Sequence, residues 1–229
     1  MKSIMLVVAA VMATAAFSAP ASAAVIASTG FESPQFPALG PGQDKYGPDG
    51  VTYNSPPSAP LVVADFTFTG YSGIFSNPPL CCTLATPYGN QFGFVQTYQD
   101  TDGLISWTVN GLTTGGKYAL SFSDIGGTGP VGVNPLTVSF VGGTPLSSTT
   151  STPSTTAWLS NVVDFTATAP SATITFAGNA VGSNLLSGID NLVVSSVPEP
   201  ATWATMLLGM FGIGALMRQA RRRTVAAAA

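Results

Sequence analysis

Through the middle of this chain, apolar and polar side chains alternate in short runs, and each run stops at Gly, Pro, Asn or Asp. No stretch between residues 24 and 197 shows the 3.6-residue apolar period of an amphipathic helix. A period of two broken by turn residues predicts an all-β domain. Candidate strands are Val25 to Ala27, Leu61 to Thr69, Phe92 to Tyr98, Leu104 to Val109, Tyr118 to Ser123, Leu136 to Val141, Trp158 to Thr166, Ala172 to Phe176 and Gly188 to Val194. The breaks at Asp102-Gly103, Asn110-Gly111, Gly115-Gly116, Gly126-Gly127 and Gly142-Gly143 supply the positive φ of tight turns. Strands this short and this many in one domain predict two packed antiparallel sheets, a β-sandwich or jelly roll. Alternation also assigns faces. Ile105, Trp107 and Val109 point one way and Ser106 and Thr108 the other; Tyr118, Leu120 and Phe122 oppose Ala119 and Ser121; Ile174 and Phe176 oppose Thr173 and Thr175. The apolar sets are the expected core, with Trp107 and Trp158 assigned to it.

Two segments lack such a pattern. From Phe31 to Pro60 the chain is rich in Pro and Gly, which predicts a long surface loop. Ser147 to Thr156 is almost entirely Ser, Thr and Pro and reads as a flexible polar loop open to glycan attachment. No internal repeat interrupts this organisation.

The two ends have a different character. Lys2, the uncharged run Ile4 to Phe17 and the small residues Ala21 and Ala23 form the n-region, h-region and A-x-A exit of a secretory signal peptide, predicting cleavage after Ala23. At the other end, Val197-Pro198-Glu199-Pro200 precedes 17 uncharged residues, 201 to 217, and then Arg218, Arg221, Arg222 and Arg223, with a short tail over 224 to 229. As a helix the uncharged run reaches about 25 Å, at the short end of a transmembrane span. Pro198 and Pro200 set its start, and the arginines would hold its C-terminal end in the cytoplasm, leaving residues 24 to 196 outside as one domain.

Charge narrows the function. Residues 24 to 197 hold two basic residues, Lys45 and Lys117, against nine acidic ones, a net charge of −7, and the chain has no His. No basic footprint for nucleic acid exists, so that partner is excluded. Without His, no Ser-His-Asp, Cys-His or His-bearing metal arrangement can be assembled. A pair of carboxylates could still serve a glycosidase, but the tight pair Asp100 and Asp102, followed by Gly103, reads as a turn. Cys81 and Cys82 are adjacent in a Pro-rich loop, which leaves a vicinal bridge, intermolecular pairing or free thiols open.

The Pro-Glu-Pro box, short apolar helix and Arg cluster, in that order at the C-terminus, resemble the PEP-CTERM sorting signal of exopolysaccharide-producing Gram-negative bacteria. The resemblance covers about the last 30 residues. It implies an exosortase that reads Val197, Pro198, Glu199, Pro200 and the arginines, and cuts near the box. An uncut membrane anchor is the alternative. A second resemblance covers the middle domain. Thr29-Gly30-Phe31-Glu32-Ser33-Pro34, the strand pair within 104 to 112 and 116 to 122, and Gly188-Ile189-Asp190-Asn191-Leu192-Val193-Val194 are similar to galactose-binding-like jelly-roll modules, with Thr29 where Asn is usual. That likeness implies a structural calcium where the first and last strands meet, held by Glu32 and Asp190. A sugar-binding face would need exposed rings. The candidates are Tyr71, Phe75 and Tyr88 in the Gly- and Pro-rich region, and Tyr98 beside Gln96 and Gln99.

The expectation is therefore an exported, non-enzymatic protein. It is handled by signal peptidase and the export machinery, passes through the inner membrane, is sorted by exosortase to the surface or biofilm matrix, and acts as a binding or structural module for exopolysaccharide. The alternative is a secreted glycan-active hydrolase using paired carboxylates.

Overall fold

The computed structural model describes residues 23–33, 61–76, 83, 85–98, 101–179, 184–198, 206–215 and 218. The chain divides into two compact units, Ala23–Val197 and a second one formed by Met1–Ser22 with Pro198–Ala229. In the second unit a helix covers residues 206–215, with Leu207, Leu208, Met210 and Phe211 exposed. No helix among the described residues is long and apolar enough to cross a membrane. The rest of the expected 201 to 217 span, the signal segment through Ser22, Glu199, Pro200, Arg221, Arg222, Arg223 and the Cys81-Cys82 pair lie outside the described residues.

The first unit is all β. Its strands among the described residues are β1 (Val25–Thr29), β2 (Leu61–Val63), β3 (Phe66–Thr69), β4 (Ser72–Ser76), β5 (Gln91–Tyr98), β6 (Thr101–Asp102), β7 (Leu104–Asn110), β8 (Lys117–Gly126), β9 (Gly132–Val133), β10 (Leu136–Val141), β11 (Gly143–Pro145), β12 (Thr150–Ser151), β13 (Leu159–Ala167), β14 (Ser171–Gly178) and β15 (Leu185–Ser196). One sheet runs β11-β13-β8-β15-β5-β4, with β1 and β9 also on β15 and β6 on β5; the other runs β12-β10-β14-β7-β3-β2. Pairing is antiparallel except for the short parallel β9–β15 contact. The result is the expected two-sheet jelly-roll sandwich.

The period of two produces the core as it should. Ile105, Trp107 and Val109 of β7, Leu120 and Phe122 of β8, and Ile174 and Phe176 of β14 are buried between the sheets, while Ser106 and Thr108 face Thr175 and Thr173 on the outside of their sheet. Each of these large side chains contributes about 1.5–3 kcal/mol by leaving water. Gly111, Gly115 and Gly142 have the positive φ expected at turns. Gly103 does not. A Cβ there would lie 2.0 Å from the Tyr71 carbonyl oxygen, so this glycine allows two backbones to approach. Gly126 likewise belongs to β8, and Gly127 follows it without a positive φ.

Three expectations are corrected. The run Leu61 to Thr69 is a hairpin, broken at Ala64 (φ 50°) and Asp65. Residues 72–76, in the Gly- and Pro-rich region given no candidate strand, form β4 on the sheet edge. The Ser/Thr-rich loop contains β12, which pairs with Leu136 and Thr137.

β4 and β5 are covered on both faces. Gly93, Val95 and Ile74 face the space between the sheets. On the other side Phe92 and Phe94 join Tyr71, Phe75, Val131 and Leu186 in a second apolar cluster. A strand buried on both sides loses the clean apolar-polar alternation by which it would be recognised.

Candidate functional site

The opening motif ends β1 and turns abruptly. Phe31 takes φ 61°, a left-handed conformation costly for a bulky residue, and its ring is buried against Phe66 with centroids 4.5 Å apart. Anchoring that ring in the core sends the next side chain, Glu32, toward the loop before β5. Its Oε1 accepts from the backbone N–H of Asn90 (2.7 Å) and of Gln91 (2.9 Å). The Gln91 side-chain amide donates back to the Phe31 carbonyl at 2.6 Å.

The closing motif has a matching irregularity. The β15 register against β8 shifts between Asp190 and Val193, and Asn191 has φ 53°. This bulge fixes the carboxylate of Asp190 in a buried position, where Thr86 donates to Oδ2 at 2.5 Å and the Asn191 N–H donates to Oδ1 at 2.7 Å. The Asp190 side chain is 0% exposed. Burial pushes its carboxyl up to about 6 against those two hydrogen bonds, and the neighbouring Glu32 charge adds to the rise.

Glycine makes both carboxylate sites possible. A Cβ on Gly89 would lie 2.0 Å from Glu32 Oε1, and one on Gly30 would lie 3.2 Å from Asp190 Oδ1. Glu32 and Asp190 are thus brought together, as the jelly-roll resemblance implied. The Glu32 charge beside the buried Asp190 carboxylate, with two glycines leaving room for both side chains, suits a hard cation. Among the described residues no group of three or more His, Cys, Asp or Glu converges, so main-chain oxygens and water would complete such a shell.

Together these two carboxylates pin the loop that carries Tyr88. Thr86 Oγ1 also accepts from the Tyr88 N–H at 3.2 Å, and the Trp158 indole N–H donates to the Ala85 carbonyl at 2.9 Å. The Tyr88 ring is 42% exposed and meets Trp158 edge-on with centroids 6.3 Å apart; Trp158 in turn meets Phe92 at 5.4 Å. Trp158 therefore lies partly buried at the margin of the second cluster and not in the central core.

The other aromatic candidates fare differently. Tyr71 and Phe75, 5% and 2% exposed, belong to the second cluster, where Phe75 stacks on Phe94 at 4.1 Å, so neither offers a ring to a ligand. Tyr98 is partly buried with its ring 5.2 Å from Tyr71. Gln99 and Asp100 lie outside the described residues. Asp102 accepts from Thr97 Oγ1 at 2.5 Å, which itself accepts from the Asn134 amide at 3.0 Å, so this acid closes a strand end.

A further buried carboxyl escaped the sequence pattern. Asp124, on β8, accepts from Ser151 Oγ of β12 at 2.6 Å, and the Asn161 side chain also lies against its carboxylate. Burial pushes its proton affinity up against the Ser151 and Asn161 side chains. Neither Asp124 nor Asp190 is open to solvent, whereas a glycosidase pair must flank a substrate bond.

No family model matches this chain, and no curated protein matches it. Solved structures do. A Stig cyclase of Fischerella sp. TAU, in complex with a pyrrolidinylidene-indole, is 18% identical over 77% of this chain and 99% of its own, with a TM-score of 0.51. Another cyclase of Fischerella sp. TAU is 18% identical over 77% of this chain and 98% of its own, with a TM-score of 0.50. A xylan-binding domain from Paenibacillus barcinonensis is 7% identical over 78% of this chain and 97% of its own, with a TM-score of 0.42. At these identities the two cyclase likenesses establish the shared sandwich fold alone.

Proposed function

We propose that this protein is an exported surface or matrix component whose jelly-roll domain is a non-catalytic polysaccharide-binding module, delivered by a signal peptide and sorted through its C-terminal Pro-Glu-Pro box by an exosortase. The observation that carries the binding role is Tyr88. It is an aromatic ring partly open to solvent on a loop that the chain immobilises at Ala85, Thr86, Asn90 and Gln91. A rigid exposed ring stacks on a sugar face without first losing loop entropy, which favours binding. The strongly acidic domain disfavours anionic glycans, so the preferred ligand is a neutral polysaccharide. Glu32 and Asp190 would hold a structural calcium that ties the first and last strands and the Tyr88 loop together; the metal would supply charge neutralisation there and no chemistry.

The hydrolase alternative is the second reading; Asp124 and Asp190 are buried, so the two carboxylates it needs would have to come from other acids. Export and sorting rest on the A-x-A exit at Ala21 and Ala23, the box from Val197 to Pro200 and the arginines beyond. Affinity electrophoresis against a panel of neutral and acidic polysaccharides tests the binding role. Retardation by a neutral glycan that Tyr88→Ala weakens by about two- to tenfold is expected, since stacking on one ring is worth about 0.5–1.5 kcal/mol. Equal retardation of the variant, with its fold intact, refutes the assignment.

A further inference from the structure

The two junctions at which this chain would be processed are hydrogen-bonded to each other. Ala24, the first residue after the expected signal cut, accepts from the Ser196 N–H at 2.9 Å through its carbonyl and donates its own N–H to Ser196 Oγ at 3.0 Å. Val25 is the register partner of Ser195. On the opposite side of β15, Ser195 and Ser196 pair with Ala119 and Tyr118, and the Val197 N–H donates to the Lys117 carbonyl at 2.9 Å. The last residues before the box are therefore held from both edges, by β1 and by β8, and the compact unit ends at Val197.

Peptidases bind their substrates as extended chain, commonly by adding the substrate to a sheet edge, which requires free N–H and C=O groups on that segment. While the ladder is closed the Ser196 N–H is engaged on the β1 side and the Val197 N–H on the β8 side, so neither donor is available to an added strand. We propose that the β1–β15–β8 ladder is a latch that sets where the tail can be cut: closed, it withholds every bond up to Val197 and confines processing to Pro198 and beyond. This rests on the sorting reading above. The same closure withholds Ala24, so signal removal must precede docking of β1 or wait until β1 frays. The position of the C-terminal cut is then a property of the folded domain as well as of the box sequence, and a misfolded domain, with β15 unpaired, is trimmed upstream.

Two variants leave the box intact. Ser196→Ala removes only the acceptor for the Ala24 N–H. Ser196→Pro also removes the N–H that reaches the Ala24 carbonyl, opening the β1 side and leaving the Lys117 bond available. The full chain is expressed in a Gram-negative host with its sorting peptidase, recovered from cell and medium fractions, and read by intact mass together with amide hydrogen exchange. For the wild type we expect a single C-terminus no earlier than Val197 and a protected Val197 amide. For Ser196→Pro we expect products ending upstream of Val197 and Val197 protection lowered by about tenfold or more, with Ser196→Ala between the two. A wild-type product ending before Val197, or a Ser196→Pro chain with unchanged products and unchanged protection, overturns the latch. If every chain retains Arg218 to Arg223, the sorting reading fails and the exchange data alone decide. Val197 protected in the wild type and loosened by Ser196→Pro then supports the latch, and an unprotected wild-type Val197 overturns it.

Discussion

Replacing Thr86 by Val tests whether the buried carboxylate at the bulge organises the Tyr88 loop. The two side chains are nearly isosteric, so the change removes a hydroxyl without opening a cavity. What is lost is the 2.5 Å bond to Asp190 Oδ2 and the acceptor for the Tyr88 N–H. A hydrogen bond to a charged group contributes about 1.5–3 kcal/mol, and Asp190 has no exposure through which water could replace it. A loss of about 2 kcal/mol at pH 7.5 is expected, equivalent to a fall of about 4–8 °C in Tm for a domain of this size. The pH dependence has a definite sign. The Asp190 carboxyl is pushed up to about 6 in the folded state, above its ordinary 3.8, so its contribution is fully present below pH 4 and declines as pH rises through 6. The Thr86 bond opposes that rise. Removing it pushes the carboxyl higher still, and the variant loses more stability at pH 7.5 than at pH 5. Urea unfolding in chelator, followed by far-UV dichroism at both pH values, measures the difference. A penalty below about 0.5 kcal/mol at pH 7.5, or one larger at pH 5, refutes the reasoning.

Phe75→Ala should cost about 3–5 kcal/mol in unfolding free energy and leave any glycan affinity of the folded fraction unchanged, because the ring is stacked in the second cluster. Gly93→Ala introduces a Cβ 2.6 Å from Phe31 Cζ and 3.0 Å from Ile105 Cδ1, and calorimetry should show a destabilisation of about 1–3 kcal/mol from overpacking. Asp124→Asn keeps the acceptor for Ser151 but cannot ionise. Since burial raises the Asp124 carboxyl, the variant should gain stability relative to wild type as pH rises from 4 to 8, in denaturant titrations at each pH. Calcium should raise the Tm of the wild-type chain, by about 2.7 kcal/mol of stabilisation at a hundredfold excess over Kd, and chelator should reverse it. Glu32→Gln and Asp190→Asn should lose that response, and a wild type indifferent to calcium removes the cation from the site.

The period-two alternation in β7, β8 and β14 made their inward faces legible, because a strand covered on one side must alternate. It failed for β4 and β5. There the second aromatic cluster covers the other face as well, and Tyr71 and Phe75 looked like loop residues free to meet a ligand. Glu32 and Asp190 were found through their motifs, whose strained Phe31 and bulged Asn191 are local features that the sequence carries within a few residues.

Local order along the chain was thus enough to determine an all-β sandwich and a strongly acidic domain without the residues of most catalytic sites; the resemblance of its first and last motifs to jelly-roll modules pointed to a pair of carboxylates there. The tertiary structure alone decided that those carboxylates grip the Tyr88 loop, that Trp158 supports it from β13's margin, and that Asp124 is buried against β12. It also decided that Ala24 and Ser196, 172 residues apart, meet in one ladder. The physical reason is that hydrophobic periodicity is set by a residue's neighbours in sequence. Burial of a carboxyl, exposure of a ring and protection of a peptide bond depend on which distant strand is placed beside it.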